Sequence, residues 1–364
     1  MSGLEGVMVA DTELSEVDGQ RGQLVIRGFE VEDLAERATL SEAIALLADG
    51  NLDAGDLREK LGAGRLRGHA ALGPALLAQP DAMSALRAAV AAVPEEALGD
   101  GARNAAAELS GRMAATAAAW ARHARGLAPI APAPERDHAE DTLRMLSGAV
   151  PDPALAAALH RYWVTVADHG MNASTFAARV VASTGARRVS AITAALGALE
   201  GPLHGGAPGP VLDMLDAIAT PDAASGWLGR ELDAGRRIMG MGHRVYRVRD
   251  PRARVLERAV ETLEREAVGS VAERLALARS VERAAEAELR ARHPERRLEA
   301  NVEFYTAVLL EALGIPRQLF TAIFACGRVA GWCAHVAEQR QRGRLIRPSS
   351  RYVGPAPSSR RITA

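Results

Sequence analysis

Cysteine and lysine are nearly absent from this chain of 364 residues: it has two cysteines, and Lys60 is the only lysine among 44 basic side chains. Two cysteines cannot build a disulfide scaffold. Cys326 and Cys333 stand seven apart on one expected helix, about 10 Å along its axis, too far to bridge each other. A reducing, cytoplasmic setting is therefore expected. The arginine and alanine excess reads as coding bias and carries no functional inference. No run of 18 apolar residues is present, so no membrane-spanning helix is expected. The opening MSGLEGVMVADTELSE is acidic and lacks the basic-then-apolar order of a signal peptide. Neither sign of charge dominates: 44 basic residues face 45 acidic ones, a net charge of −1. That balance argues against nucleic acid or a membrane surface as partner. P-loop, GxSxG, HExxH and paired CxxC motifs are missing. Gly62-Ala63-Gly64 lacks the spacing and the preceding strand of a dinucleotide loop.

What is present is a globular mix, 48% hydrophobic and 24% charged. The length suits about two domains with sizeable cores. Only residues 1–30 carry a β pattern: a short strand over 22–28, bounded by glycines and preceded by a turn at Asp18-Gly19. From Val31 onward apolar residues recur every three to four positions. This periodicity predicts helices from 31 to 47 and over 83–95, 100–125, 138–147, 153–169, 173–184, 223–236, 250–265, 269–291, 301–313 and 317–339. The Pro/Ala stretch 128–134 reads as a helix lead-in rather than a domain linker. The Gly/Pro-dense stretch 201–210 is the best internal boundary. Residues 340–364 read as an extended basic tail. The expected fold class is all-α with a short N-terminal β-hairpin.

Three segments set a histidine in unusual company. His169 sits in Asp168-His169-Gly170-Met171-Asn172-Ala173-Ser174-Thr175, where Gly170 and the Asn-Ala-Ser-Thr run break or cap a helix; a helix junction with a surface histidine is the plainer reading. His204 sits in Gly201-Pro202-Leu203-His204-Gly205-Gly206, where glycines let a ligand approach the backbone. His243 opens Gly242-His243-Arg244-Val245-Tyr246-Arg247-Val248-Arg249-Asp250-Pro251-Arg252, dense in arginines whose planar forks bind carboxylate and phosphate. Glu303, in Asn301-Val302-Glu303-Phe304-Tyr305, is a carboxylate among apolar neighbours and a candidate general base. Taken alone, it reads as an ordinary first-turn acid. Arg328 lies in the apolar stretch 324–332, where an arginine is costly unless paired with an anion. Arg347 lies in Leu345-Ile346-Arg347-Pro348. These residue types describe a helical enzyme doing proton chemistry at a carbonyl of a polyanionic substrate. No histidine pair at helical spacing and no second carboxylate suggests a metal site.

Together these segments resemble the citrate synthase family. HGMNAST, GPLHGG, GHRVYRVRDPR, NVEFY, FACGRVAGWCAHVAEQ and RLIRPSSRYVGP occur in the family's order, across nearly the whole chain. The resemblance implies a two-domain helical dimer: a large domain of residues 1–205 and 315–364, and a small domain of 206–314 that closes over the substrate. It implies that His204 stabilises the enol of an acyl-CoA and that His243 polarises the ketone of oxaloacetate. His169, Arg252 and Arg328 would bind the oxaloacetate carboxylates, and Arg347 would do so across the dimer interface. Arg247 would contact the CoA phosphates, and Glu303 would be the base. The implied reaction is condensation of acetyl-CoA with oxaloacetate, with acyl-CoA as co-substrate and no permanently bound cofactor or metal. The family's motif usually carries aspartate where this chain has Glu303. The extra methylene moves the carboxylate by about 1.5 Å, and a ~1 Å misplacement can cost on the order of 10²-fold in rate. A backbone shift or a different acyl-CoA would absorb it. The alternatives are 2-methylcitrate synthase, using propionyl-CoA, and a paralogue that binds substrate but turns over weakly.

Overall fold

The computed structural model describes residues 4, 6–205, 209–242, 246, 248–266 and 270–355. Its β region is a three-stranded antiparallel sheet rather than a simple hairpin: β1 Ser15–Asp18, β2 Gln23–Ile26 and β3 Phe29–Glu30, in the order β1-β2-β3. Ser15 pairs with Ile26 and Asp18 with Gln23. The Asp18 carboxylate closes the turn by accepting the backbone N–H groups of Gln20 and Arg21, both at 2.9 Å. Leu24 and Ile26 point into the core while their neighbours stay half-exposed, the period-two alternation of a one-sided sheet.

Sixteen α-helices follow among the described residues. The first group is α1 Val31–Arg37, α2 Leu40–Asp49, α3 Leu57–Ala70, α4 Pro74–Leu77, α5 Ala82–Ala91, α6 Gly101–His123, α7 His138–Ser147 and α8 Pro153–Val166. The second is α9 Ala173–Ser183, α10 Arg188–Leu199, α11 Gly209–Ile218, α12 Ala224–Asp233, α13 Pro251–Glu266, α14 Ser270–Arg292, α15 Val302–Ala312 and α16 Phe320–Arg342. The helix expected from 31 to 47 is two helices. Thr39 and Glu42 form a reciprocal capping box that starts α2 afresh. Four helices were not expected: α3, the one-turn α4, α10 and α11. In α3 the glycines that suggested a loop are packing devices. A Cβ on Gly64 would lie 2.9 Å from the Glu108 carbonyl oxygen, and one on Gly68 would lie 2.7 Å from the Arg112 Cα, so α3 and α6 touch backbone to backbone. The stretch 128–134 lies between α6 and α7 and folds back on α7, where the Ala133 N–H meets the Asp141 carboxylate at 3.1 Å.

α16 is the centre of the molecule, packed on α2, α6, α8, α9 and α10 at once. It is long and apolar enough to cross a membrane by length and composition, but it is buried inside the fold. α13 packs on α15 and also on α1 and α8, so the helices that carry Arg252 and Glu303 and the one that leads into His169 are built against each other.

Candidate active site

Helix ends set the site. α8 stops at Val166, three residues short of the expected end, which leaves Asp168-His169-Gly170 as a turn before α9. Asn172 caps α9 by accepting the Thr175 N–H at 3.1 Å. His169 Nε2 lies 3.0 Å from the Tyr246 hydroxyl. The His204 turn is held by its own backbone, with the His204 N–H on the Gly201 carbonyl and the Gly205 N–H on the Leu199 carbonyl, both at 2.9 Å. The Thr321 hydroxyl of α16 also holds the Gly205 carbonyl at 2.9 Å. The ring Nε2 of His204 lies 2.8 Å from the Ser174 hydroxyl, which in turn accepts the Trp332 indole N–H at 3.2 Å. Burial holds the His204 imidazole down at about 4, helped by the positive charges of Arg328 and Arg252, so the ring is neutral at ordinary pH.

Asn301 caps α15, accepting the N–H groups of Glu303 and Phe304 at 2.9 and 3.3 Å. Its own amide donates to the Gly242 carbonyl at 2.6 Å, and Met241 pairs with Ala300 in an isolated antiparallel bridge. The Gly-x-Gly lead-in to His243 is thereby tied to the start of the helix that carries Glu303. Glu303 keeps a partly exposed surface but is densely enclosed. That burial pushes its carboxyl up to about 7, although Arg252 and Arg328 pull the other way.

Asp250 and Pro251 start α13 as cap and first residue. The Asp250 carboxylate accepts the Arg252 N–H at 3.0 Å, Arg252 Nε at 3.1 Å and Nη2 at 2.8 Å. Arg252 is buried, and its guanidinium lies 5.8 Å from the centre of the Tyr246 ring. Arg328 is buried in the middle of α16, 4.8 Å over the Phe324 ring. Its Nε donates to the Val166 carbonyl at the open end of α8, but its Nη1 has no hydrogen-bond partner among the described residues. Burial lowers its pKa to about 10. A buried guanidinium with an unmet donor costs free energy that an incoming carboxylate would recover.

The structure thus brings together His169, His204, Arg252, Glu303 and Arg328. Arg347 is exposed, on the segment beyond α16, beside the groove between that segment and residues 4–13. His243 and Arg247 lie outside the described residues. Three partners were missed. Asp250 and Tyr246 stood inside the arginine-rich motif, but nothing in the spacing shows that one would grip Arg252 and the other His169. Tyr162, fully buried on α8, lies within electrostatic reach of Glu303 and Arg328 and carried no sequence signal at all. Among the described residues, no group of three or more His, Cys, Asp or Glu side chains could hold a metal ion.

The chain is similar to known proteins over nearly its whole length. The family model for the citrate synthase C-terminal domain matches residues 3–349. A putative citrate synthase 2 of Mycobacterium tuberculosis is 42% identical over 368 residues, covering 98% of this chain and 94% of its own length. A 2-methylcitrate synthase of the same species is 36% identical over 365 residues, covering 97% and 90%. The citrate synthase of the archaeon Thermoplasma acidophilum, solved as a ternary complex with carboxymethyl coenzyme A and oxaloacetate, superposes with a TM-score of 0.85 at 32% identity. That superposition covers 98% of this chain and 96% of the other.

Proposed function

The chain belongs to the citrate synthase family, and we propose that it condenses acetyl-CoA with oxaloacetate and hydrolyses the product to citrate and CoA, with the residues gathered here in the following roles. The observation that carries this reading is Glu303, a carboxylate enclosed at the start of α15 and raised to about 7 by burial, within electrostatic reach of the buried arginines Arg252 and Arg328. A base removing a proton from the acyl methyl group works best with a pKa near the working pH. Glu303 takes that proton. Neutral His204 donates a hydrogen bond to the thioester oxygen as the enol forms; this requires its proton on Nδ1 and the single Ser174 hydroxyl hydrogen turned to Nε2 rather than to Asn172 Oδ1, each 2.8 Å from the hydroxyl oxygen. The enol carbon then attacks the oxaloacetate ketone, which His243 polarises.

Arg252, Arg328 and His169 hold the two carboxylates, the unmet Nη1 of Arg328 supplying one donor. Arg347 reaches the same site in the partner of a homodimer, and Arg247 binds CoA phosphates. Residues 206–314 close as a small domain over 1–205 and 315–364. Closure shuts out water until the carbon–carbon bond has formed. The enzyme acts in the cytoplasm, and acyl-CoA is its co-substrate.

The 2-methylcitrate reading rests on the relative of that name and on Glu303, since one methylene in an apolar pocket is worth only ~1–3 kcal/mol. The test is release of free CoA thiol from acetyl-CoA or propionyl-CoA, with and without oxaloacetate. Oxaloacetate-dependent release supports the reading, and the ratio of kcat/KM values names the acyl donor. No release with either donor overturns it.

A further inference from the structure

We propose that Ser15, on the N-terminal sheet and far in sequence from every residue assigned above, is a positioning residue for the oxaloacetate site. The inference rests on the reading of His169 and Arg328 as oxaloacetate ligands. The Ser15 hydroxyl donates to Asp168 Oδ2 and accepts the Gly170 N–H at 3.0 Å, so it bridges both neighbours of His169. Val17, two positions along the same face of β1, stands 3.3 Å from where a Cβ on Gly170 would be.

Asp168 is fully buried and is held on its far side too. Its Oδ1 lies 3.1 Å from His335 Nε2. His335 Nδ1 lies 2.8 Å from Arg179 Nη1, and arginine can only donate. His335 Nδ1 is therefore the acceptor, and its proton sits on Nε2, aimed at Asp168. Arg179 is paired with Glu338 at 2.6 Å, and Glu338 accepts the backbone N–H of Glu13 at 2.9 Å, two residues before Ser15. The contacts form a closed ring: β1, the His169 turn, His335 of α16, Arg179 of α9, Glu338 of α16, and Glu13 on the lead-in to β1. The Asp168 charge within that ring also favours the charged form of Arg328.

The other end of the sheet presses on the second binding segment. A Cβ on Gly22 would lie 2.5 Å from Val248 Cγ2 and 3.0 Å from the Arg249 carbonyl oxygen. The sheet therefore touches both turns that carry oxaloacetate ligands, the one with His169 and the one leading to Arg252.

The experiment measures KM for oxaloacetate and kcat for Ser15→Ala, Ser15→Thr and Glu16→Ala in the full-length protein. Glu16 is the exposed neighbour on the same strand. The expected result is a KM raised about tenfold in Ser15→Ala with kcat within about twofold, as for loss of one hydrogen bond to a buried charge. Ser15→Thr, which keeps the hydroxyl, restores the wild-type KM, and Glu16→Ala leaves it unchanged. An unchanged KM in Ser15→Ala, or a threonine variant as impaired as the alanine one, overturns the proposal. Should Ser15→Ala not accumulate as folded protein, Ser15→Cys, similar in shape but a weaker donor, carries the test: a raised KM supports the proposal and a wild-type KM overturns it. A wild-type protein that releases no CoA with oxaloacetate overturns the functional reading and this proposal with it. A working wild type with an unchanged KM in the variant overturns this proposal alone.

Discussion

Two regions of the molecule contain the same three residue types, a buried arginine, a histidine and a carboxylate, and use them in opposite ways. Between α3, α6 and α7, Arg65 is fully buried and has every one of its three guanidinium nitrogens engaged. Its Nε donates to Asp141 at 2.7 Å, its Nη1 to His138 Nδ1 at 2.8 Å, and its Nη2 to the Ala133 and Arg136 carbonyls at 3.3 and 3.0 Å. His138 stacks on Trp163 and is held neutral, well below its ordinary pKa, mainly by burial and then by the Arg65 charge. In the cleft, Arg328 leaves Nη1 unmet, and Glu303 has no ion pair among the described residues. Burial and charge alone do not mark a reactive site. Unspent hydrogen-bonding capacity does, because it is what a substrate can satisfy.

This contrast can be broken at several points. The largest effect is expected from Glu303→Gln, which removes the base. Turnover should fall about 10²–10⁴-fold while the protein stays folded, as measured by steady-state CoA release. A fall much smaller than that would place the base elsewhere. Next comes Arg65→Met, which takes from the buried Asp141 one of its two arginines and leaves it Arg144 at 2.7 Å and the Ala133 N–H. Denaturant unfolding should show a loss of about 2–3 kcal/mol, as for removing one hydrogen-bonded partner of a buried charge, with KM for oxaloacetate unchanged in the protein that remains folded.

Arg328→Met should do the reverse. It should raise KM for oxaloacetate on the order of 10²-fold, as for truncating one partner of a buried charge pair. Stability should hold or improve, because a desolvated and partly unmet charge is gone. Should Arg328→Met destabilise as much as Arg65→Met, the distinction between spent and unspent capacity would fail.

The smallest effect lies in pH. Glu303 is raised from 4.5 to about 7 in the folded protein. The charged form is active, so kcat/KM should climb as pH rises towards 7 and level off above it. The stability linkage has the opposite sign. Below 4.5 the group is protonated whether the chain is folded or not; as pH rises from there through 7, stability is lost, because only the folded state resists ionisation. Glu303→Gln should therefore be more stable than wild type at pH 8, by at most about 3 kcal/mol, and equal to it near pH 4. His204, lowered to about 4, should contribute no further limb between pH 5 and 8.

Much of this was legible before folding. Helical periodicity located α6, α7, α9 and α12 to α16 to within a few residues, and the Gly–His segments and the apolar surroundings of Arg328 and Glu303 marked the site residues. The helices that were missed have physical reasons. α3 carries Gly62, Gly64 and Gly68, which lower helix propensity locally but let it lie against α6. α10 and α11 flank the Gly/Pro stretch around 201–210, whose breakers dominated the reading of both sides.

The sequence by itself determined the helical class, the family and which residue types would do the chemistry, because those depend on spacing along one chain. Only the tertiary structure decided which buried charges are spent and which are left for a substrate. Ser15 meets Asp168 across 153 positions, Arg65 meets Asp141 across 76, and His169 meets Tyr246 across 77. A hydrogen bond is made at about 3 Å and a helix periodicity repeats every 3.6 residues. No pattern of the second kind carries information about partners of the first kind, so each pairing is settled by how the helices pack around α16.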